Sequence, residues 1–130
     1  MGLDMYLYGV INNYNMHDYN IGQIRTLVEI GYWRKANQIH KWFVDNIQRG
    51  VDNCATYYCD KEQLIELKEL CQQVLDDPKK AEELLPVEEG FFFGSQEYDE
   101  WYFNDIQETI EIVNWAIEKD YDYFAYSSSW

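Results

Sequence analysis

The side chains best suited to acid–base chemistry fall in two segments of the chain. Arg34, Asn37 and His40 lie on one predicted helix, and Asp99 and Glu100 follow a Gly-Ser turn. His40 could serve as a general base, and Asp99 could orient its ring. A lone histidine on an apolar helical face is more often a core residue, however, and the sequence has neither a nucleophile–base pair nor a phosphate-binding loop. We therefore expect the protein not to be an enzyme.

The cysteines raise the question of a metal site. Cys54 and Cys59 form one loosely spaced pair, and His17, Asp18 or His40 could complete a tetrahedral set of ligands. Structural zinc sites usually show a repeated close pair of Cys or His, which this chain lacks. We therefore expect no metal and no other cofactor. The odd number of cysteines is best explained by reduced thiols in a cytosolic protein.

The most distinctive pattern is a row of acidic side chains on the longest predicted helix, which lies within Gly90–Asp120. At about 100° per residue, one side of this helix collects acidic and polar positions with a single tryptophan. The members of this row are Glu97, Glu100, Asn104, Glu108, Glu111, Trp115 and Glu118. Ser95 is predicted to cap the helix, which explains Glu97, Asp99 and Glu100 as first-turn acids near the positive end of the dipole. Capping does not explain the acids further along, so we interpret the row as a partner-binding surface.

The opposite side of the same helix is apolar over a wide arc. Its positions are Tyr102, Ile106, Ile110, Val113 and Ile117, widened by Tyr98, Ile112 and Ala116. An arc of this width predicts burial against a sheet rather than against a single neighbouring helix.

Charge is distributed unevenly along the chain. The net charge is −14 over 130 residues; residues 1–50 carry four acids and five bases, and residues 51–130 carry twenty acids and five bases. Such a field disfavours direct binding to nucleic acid or to a membrane surface and favours a basic partner protein. Trp42, near Lys35, Gln38 and Arg49, could stack on a base, but we expect it to pack under a loop or against the neighbouring Tyr-rich segment. The alternative explanation of the charge is solubility alone.

Hydrophobic periodicity and turn residues predict a single α+β domain over residues 1–130, with a small, mostly antiparallel sheet packed against three main helices. The predicted strands are Leu3–Tyr8, Gln23–Trp33, Ala55–Cys59, Phe91–Phe93 and Tyr121–Tyr126, with a loop over Asn12–Asn20. The predicted helices are Arg34–Gln48, a helix capped by Asp60 with Gln63, a short turn over Lys79–Leu85, and the long acidic helix. No apolar run reaches the roughly 18 residues that a membrane span needs, and the N-terminus has no secretory pattern. We expect a cytoplasmic protein.

Three motifs, in this order and over nearly the whole chain, resemble a family of small acidic phage and prophage proteins. They are MGLDMYLY at the N-terminus, YWRKANQIHKWFV in residues 32–44, and GFFFGS-x-x-YDEWY in residues 90–102. The resemblance implies a genetic setting rather than a mechanism: an accessory viral gene expressed in the bacterial cytoplasm.

Together these patterns favour a protein that acts by binding a basic host protein. In the setting that the resemblance implies, it would be an anti-CRISPR-like inhibitor of a host defence or nucleic-acid-handling protein, with acids replacing phosphates and Trp115 as an apolar anchor. One alternative is a small-molecule or nucleotide site, as a binding protein or enzyme, in an aromatic pocket near His40 and the GFFFGS turn. Its predicted lining is Tyr32, Arg34, Asn37, His40, Tyr98, Asp99 and Trp101. Another alternative is a structural or assembly accessory whose exposed aromatic residues self-associate.

Overall fold

A computed structural model describes residues 2–14, 23–90 and 94–130 of the chain. Four strands form one antiparallel sheet in the order β2-β1-β4-β3. The strands are β1 (Asp4–Tyr14), β2 (Gln23–Arg34), β3 (Tyr57–Cys59) and β4 (Tyr123–Ser129). The helices are α1 (Asn37–Asn46), α2 (Lys61–Asp76), α3 (Ala81–Leu84) and α4 (Glu100–Glu118), with a 3-10 turn over Pro78–Lys80. The predicted α+β class is confirmed; the predicted strand over Phe91–Phe93 lies outside the described residues.

β1 is amphipathic, as its alternating sequence predicts. Leu3, Met5 and Leu7 are fully buried, whereas Tyr6 and Tyr8 between them are half-buried. Successive side chains of a strand point to opposite faces, so one face of the sheet carries the core.

The β1–β2 pair is longer than the sequence predicts. Its register runs to the Tyr14–Gln23 pair, so the predicted loop over Asn12–Asn20 is wrong for its first three residues. The ladder supplies backbone hydrogen bonds to this Asn- and Tyr-rich segment, which overrides its weak strand propensity. The rest of the predicted loop lies outside the described residues.

α1 is shorter at both ends than its predicted range. Arg34 still belongs to β2, and Lys35 adopts a left-handed backbone conformation with φ 57° that separates strand from helix. The helix ends at Asn46, and Arg49 and Gly50 after it have φ of 57° and 80°. These left-handed residues, which a helix cannot continue through, set the boundaries.

α2 begins with the predicted capping box. The Asp60 carboxylate accepts a hydrogen bond from the Gln63 backbone N–H at 2.9 Å, and the Gln63 side chain accepts one from the Asp60 N–H at 3.0 Å. The apolar face of α2 buries Leu64, Leu67 and Val74 completely.

α4 begins later than the sequence predicts, and Ser95 is not its cap. The Asp99 carboxylate accepts hydrogen bonds from the backbone N–H groups of Trp101 and Tyr102, both at 3.1 Å. The carbonyl oxygen of Ser95 is instead bound by the Asn37 side chain at 2.7 Å. This contact with α1 holds the turn outside the helix, so Asp99 takes the capping position.

α4 packs on a helix as well as on the sheet, which corrects the prediction of burial against a sheet. Most of its contacts are with α2, and others are with β2 and α1. It approaches β2 closely at Gly31, where an added Cβ would lie 2.5 Å from Ile112 Cγ2. The Trp33 indole N–H donates to Thr109 Oγ1 at 2.9 Å in the buried interface. Gly31 and Trp33 therefore fix the line along which α4 crosses the edge strand.

Among the described residues, no helix combines the length and apolar character that crossing a membrane requires. Most of the buried apolar side chains that the structure describes belong to one cluster, in which Phe43 of α1 stacks on Tyr126 of β4 with ring centroids 3.8 Å apart.

Candidate functional site

The acidic face of α4 is exposed along the helix. This face comprises Glu100, Asn104, Glu108, Glu111, Trp115 and Glu118, all of which are exposed. Trp115 keeps 52% of its surface exposed. Glu97, the remaining member of the predicted row, is exposed but precedes the helix. The structure therefore brings six of the seven predicted residues onto one helix.

The carboxylates of this face have no basic partners. Within the described part of the chain, no ion pair joins any of them to Lys, Arg or His. The nearby cation Lys119 lies over the Trp115 ring, with its ammonium nitrogen 4.5 Å from the centroid. Like charges three or four residues apart, such as Glu108 and Glu111, destabilise a helix slightly. The face therefore carries a small cost that no described ion pair relieves.

Asp105 lies beside this face and is half-buried. Burial, and then the neighbouring Glu108 carboxylate, raise the pKa of Asp105 to about 6, although a hydrogen bond from Gln38 opposes the shift. No ion pair offsets the loss of hydration of this carboxylate within the described residues.

A cavity of about 280 Å³ lies where the β2–α1 junction meets the start of α4. We call it the junction pocket; it is lined by Arg34, Lys35, Asn37, Gln38, Gly94, Ser95, Glu97, Asp99, Trp101, Tyr102 and Asp105. Arg34 and Lys35 are exposed cations that form no ion pair in the described part of the chain. Trp101 is the most exposed large apolar side chain among those that the structure describes, at 66%. The pocket thus combines two cations, three carboxylates and an aromatic surface.

The junction pocket opens into a groove between β2 and α4. A second cavity shares Arg34, Trp101 and Asp105 with the junction pocket. A third shares Glu108 and Glu111 with the second and ends at Trp115. The acidic face therefore borders a continuous groove, and the predicted partner surface and the predicted pocket are neighbours.

His40 is not part of this pocket. It is fully buried in α1, where its Nδ1 lies 2.6 Å from the Tyr126 hydroxyl and its Nε2 lies 3.0 Å from Asp52 Oδ1. Both ring nitrogens are thus engaged when the neutral ring donates to Asp52 and accepts from Tyr126. The predicted pairing of His40 with Asp99 is wrong because Asp99 caps α4, and His40 is a satisfied core residue.

Five of the other six predicted pocket residues line either the junction pocket or the adjoining groove. Arg34, Asn37, Asp99 and Trp101 line the junction pocket as predicted. Tyr32 lines the adjoining groove, and its hydroxyl donates to the Asp4 carboxylate.

Tyr98 and Trp42 lie elsewhere. The Tyr98 hydroxyl accepts a hydrogen bond from the Val87 backbone N–H at 3.2 Å, and its ring contacts Tyr102. Trp42 is 5% exposed and packs edge-on against Phe43, so it presents no stacking surface to a nucleic-acid base. Trp42 is thus buried, and the ring contact described for it is with Phe43 of the same helix rather than with the Tyr-rich segment.

The cysteines differ in their exposure to solvent. Cys59 and Cys71 are buried, and Cys54 is exposed. Within the described residues no group of three or more His, Cys, Asp or Glu side chains could hold a metal ion. His17 and Asp18 lie outside those residues.

The sequence did not predict seven of the residues that line the junction pocket: Lys35, Gln38, Gly94, Ser95, Glu97, Tyr102 and Asp105. Asp105 sits between the apolar arc and the acidic row, and its position on the flank of the arc could have indicated partial burial. Lys35 carries no comparable signal, because its left-handed conformation depends on the packing of the strand–helix junction.

The chain matches no protein-family model, no curated protein and no solved structure. The resemblance to phage proteins therefore stays a prediction. The function has to be inferred from the fold, the acidic face and the junction pocket.

Proposed function

We propose that the protein acts by binding another protein, and that the acidic face of α4 docks on a basic, nucleic-acid-binding surface of that partner. The observation that carries the proposal is the row of exposed, unpaired carboxylates of Glu100, Glu108, Glu111 and Glu118, with Trp115 exposed among them. A carboxylate row attracts Lys and Arg, and an exposed tryptophan is a common anchor of protein interfaces.

The distribution of charges on the other helices supports the interpretation that the acidic face of α4 is more than a solvated surface. On α1, Lys41 pairs with Asp45 at 3.0 Å. On α2, the exposed acids alternate with Lys61 and Lys68. Surface helices commonly intersperse charges in this way. α4 has no Lys or Arg between Glu100 and Glu118, so its single-sign face needs an explanation beyond solubility.

The spacing of the carboxylates limits how many phosphates of a nucleic acid the acidic face can replace. Glu100 and Glu118 are separated by roughly 27 Å of helix axis, and the four carboxylates over this length have a mean spacing of about 9 Å, against about 3.4 Å per phosphate on one DNA strand. The face therefore replaces a few phosphates of a short contact. In the bacterial setting that the resemblance suggests, the partner would be a host defence or nucleic-acid-handling protein, and the action would be inhibition of the anti-CRISPR type.

The test is capture of a nucleic-acid-binding protein from nuclease-treated bacterial lysate, followed by competition with duplex DNA and RNA. The variant combines Glu100→Gln, Glu108→Gln and Glu111→Gln. A matched control combines Glu62→Gln, Glu66→Gln and Glu69→Gln, which changes the same charge at exposed positions of α2.

We expect the wild type and the α2 control to capture a basic protein that nucleic acid releases, and the α4 variant to bind it at least tenfold more weakly with a reduced dependence on salt. Equal binding by both triple variants would show that charge alone, and not this face, governs association. A captured partner that nucleic acid cannot displace would exclude mimicry.

A further inference from the structure

The two sides of the junction pocket carry opposite charge. Arg34 and Lys35 come from the β2–α1 junction, and Glu97 and Asp105 come from the segment that leads into and along α4. Neither cation is paired with an acid in the described residues. A purely anionic ligand would be repelled by the acidic side and a purely cationic one by the basic side, so this arrangement is complementary to a ligand that carries both charges.

The backbone builds the basic side at a conformational cost. Lys35 has φ 57°, a left-handed conformation that costs an ordinary residue roughly 1 kcal/mol. Gly94, with φ 85°, packs against it, since an added Cβ would lie 3.0 Å from the Lys35 Cβ. Strain of this kind gathers at binding sites more often than on passive surfaces.

The acidic side is held in place. The amide of Gln38 donates to the Tyr102 carbonyl at 3.2 Å and also hydrogen-bonds Asp105. Asn37 donates to the Ser95 carbonyl at 2.7 Å and accepts from the Glu88 N–H at 3.0 Å, which ties the two sides together. Asp105 is a half-buried carboxylate with a raised pKa that forms no ion pair in the described residues, so it is suited to receive a ligand ammonium.

We propose that the junction pocket binds a small zwitterion that carries a flat ring, of the size and chemistry of an aromatic α-amino acid. The ligand carboxylate contacts Arg34 and Lys35, its ammonium contacts Asp105, and its ring lies on Trp101. The cavity of about 280 Å³ lies just below the volumes of about 300–1,000 Å³ that hold drug-sized ligands, which suits a metabolite.

Truncated ligands test each charge separately. L-Phenylalanine is titrated into the 15N-labelled protein beside 2-phenylethylamine, which lacks the carboxylate, and N-acetyl-L-phenylalanine, which lacks the ammonium. We expect saturable binding of L-phenylalanine with a Kd on the order of 1 mM, with a shift of the Trp101 indole resonance, and at least tenfold weaker binding of each truncated ligand.

Variants assign the charges to residues. Arg34→Gln should abolish the preference for L-phenylalanine over 2-phenylethylamine. Asp105→Asn should abolish the preference for L-phenylalanine over N-acetyl-L-phenylalanine. Trp101→Ala should weaken all three ligands. The matched controls Arg49→Gln, Asp120→Asn and Tyr58→Ala alter exposed side chains outside the pocket and should bind L-phenylalanine like the wild type. Circular dichroism verifies that each variant is folded.

Three results would overturn the proposal. One is the absence of saturation with phenylalanine, tyrosine and tryptophan up to about 10 mM. Another is equal affinity for the intact and truncated ligands. The third is binding of a nucleotide such as GMP that L-phenylalanine does not displace. The triple variant of the acidic face retains all pocket residues, so failure of this proposal and failure of protein binding are separately observed.

Discussion

Asp105, which lines the junction pocket, lowers the stability of the fold when its carboxylate is ionised. Its pKa is raised to about 6 in the folded protein, mainly by burial. A raised pKa means that the folded state holds the proton more tightly than the unfolded state, so the ionised carboxylate destabilises the fold above about pH 6. The cost decreases as the pH falls toward the ordinary aspartate pKa, about 4.

We therefore predict that Asp105→Asn stabilises the protein at pH 7.5. The shift corresponds to at most about 3 kcal/mol, and solvent screening of this partly exposed group reduces the expected gain to about 1 kcal/mol. Urea denaturation from pH 4 to pH 8 measures the effect, with the exposed Asp120→Asn as control. A gain that stays the same at pH 4 would contradict the electrostatic cause.

The cysteines give a second prediction at the residue scale. Burial raises the pKa of the Cys59 and Cys71 thiols to about 12, so the thiolate fraction at pH 8 is about 10⁻⁴. Cys54 is exposed. We expect an aromatic disulfide reagent to modify one thiol of the native protein quickly and all three after denaturation. Fast modification of two or three thiols without denaturant would show that the core opens.

At the scale of elements, the beginning of α4 decides where the acidic face starts. Asp99 caps the helix, and Ser95 belongs to the turn before it. We predict that Asp99→Ala lowers the free energy of unfolding by about 1 kcal/mol, whereas Ser95→Ala lowers it by less than half of that. Chemical denaturation compares the two variants. A larger loss for Ser95→Ala would place the cap where the sequence predicted it.

The path of α4 across the sheet explains why the acidic face and the junction pocket are neighbours. The helix crosses the edge strand β2 at Gly31 and Trp33, so its acidic side borders the groove while its apolar side packs mainly on α2. The junction pocket lies at the beginning of the helix, and Trp115 lies near its end. A partner docked on the acidic face would therefore cover the groove beside the pocket.

For the molecule as a whole, the unpaired acids imply self-repulsion that salt should relieve. The net charge is −14, and the ion pairs between Lys and acidic side chains in the described residues are both made by Lys41, with Asp45 and Glu88. Raising the salt from about 10 mM to 150 mM shortens the screening length from roughly 30 to 8 Å.

We predict that this change in salt raises Tm by about 2–5 °C, which corresponds to roughly 1 kcal/mol. The increase should be smaller in the Glu100/Glu108/Glu111→Gln variant than in the Glu62/Glu66/Glu69→Gln control, because no Lys or Arg lies among the α4 acids, whereas Lys61 and Lys68 lie among the α2 acids. Thermal denaturation monitored by circular dichroism measures the difference. An equal increase in both variants would indicate that only total charge matters.

The sequence by itself determined the features that depend on local periodicity and capping. Alternation in Leu3–Tyr8 predicted β1, the Asp60 and Gln63 pair predicted the start of α2, and helical spacing predicted the exposed row on α4. These features could be predicted because side chains two, three or four residues apart share a face whatever the rest of the chain does.

Only the tertiary structure decided what surrounds each candidate site. His40 lies outside the pocket because its ring nitrogens contact Tyr126 of β4 and Asp52 of the segment after α1. Lys35 and Asp105 entered the pocket because the strand–helix junction packs beside the start of α4. Such contacts depend on how the elements pack rather than on residue spacing, so the acidic row was predictable, whereas only Arg34, Asn37, Asp99 and Trp101 of the junction pocket were predicted to line it.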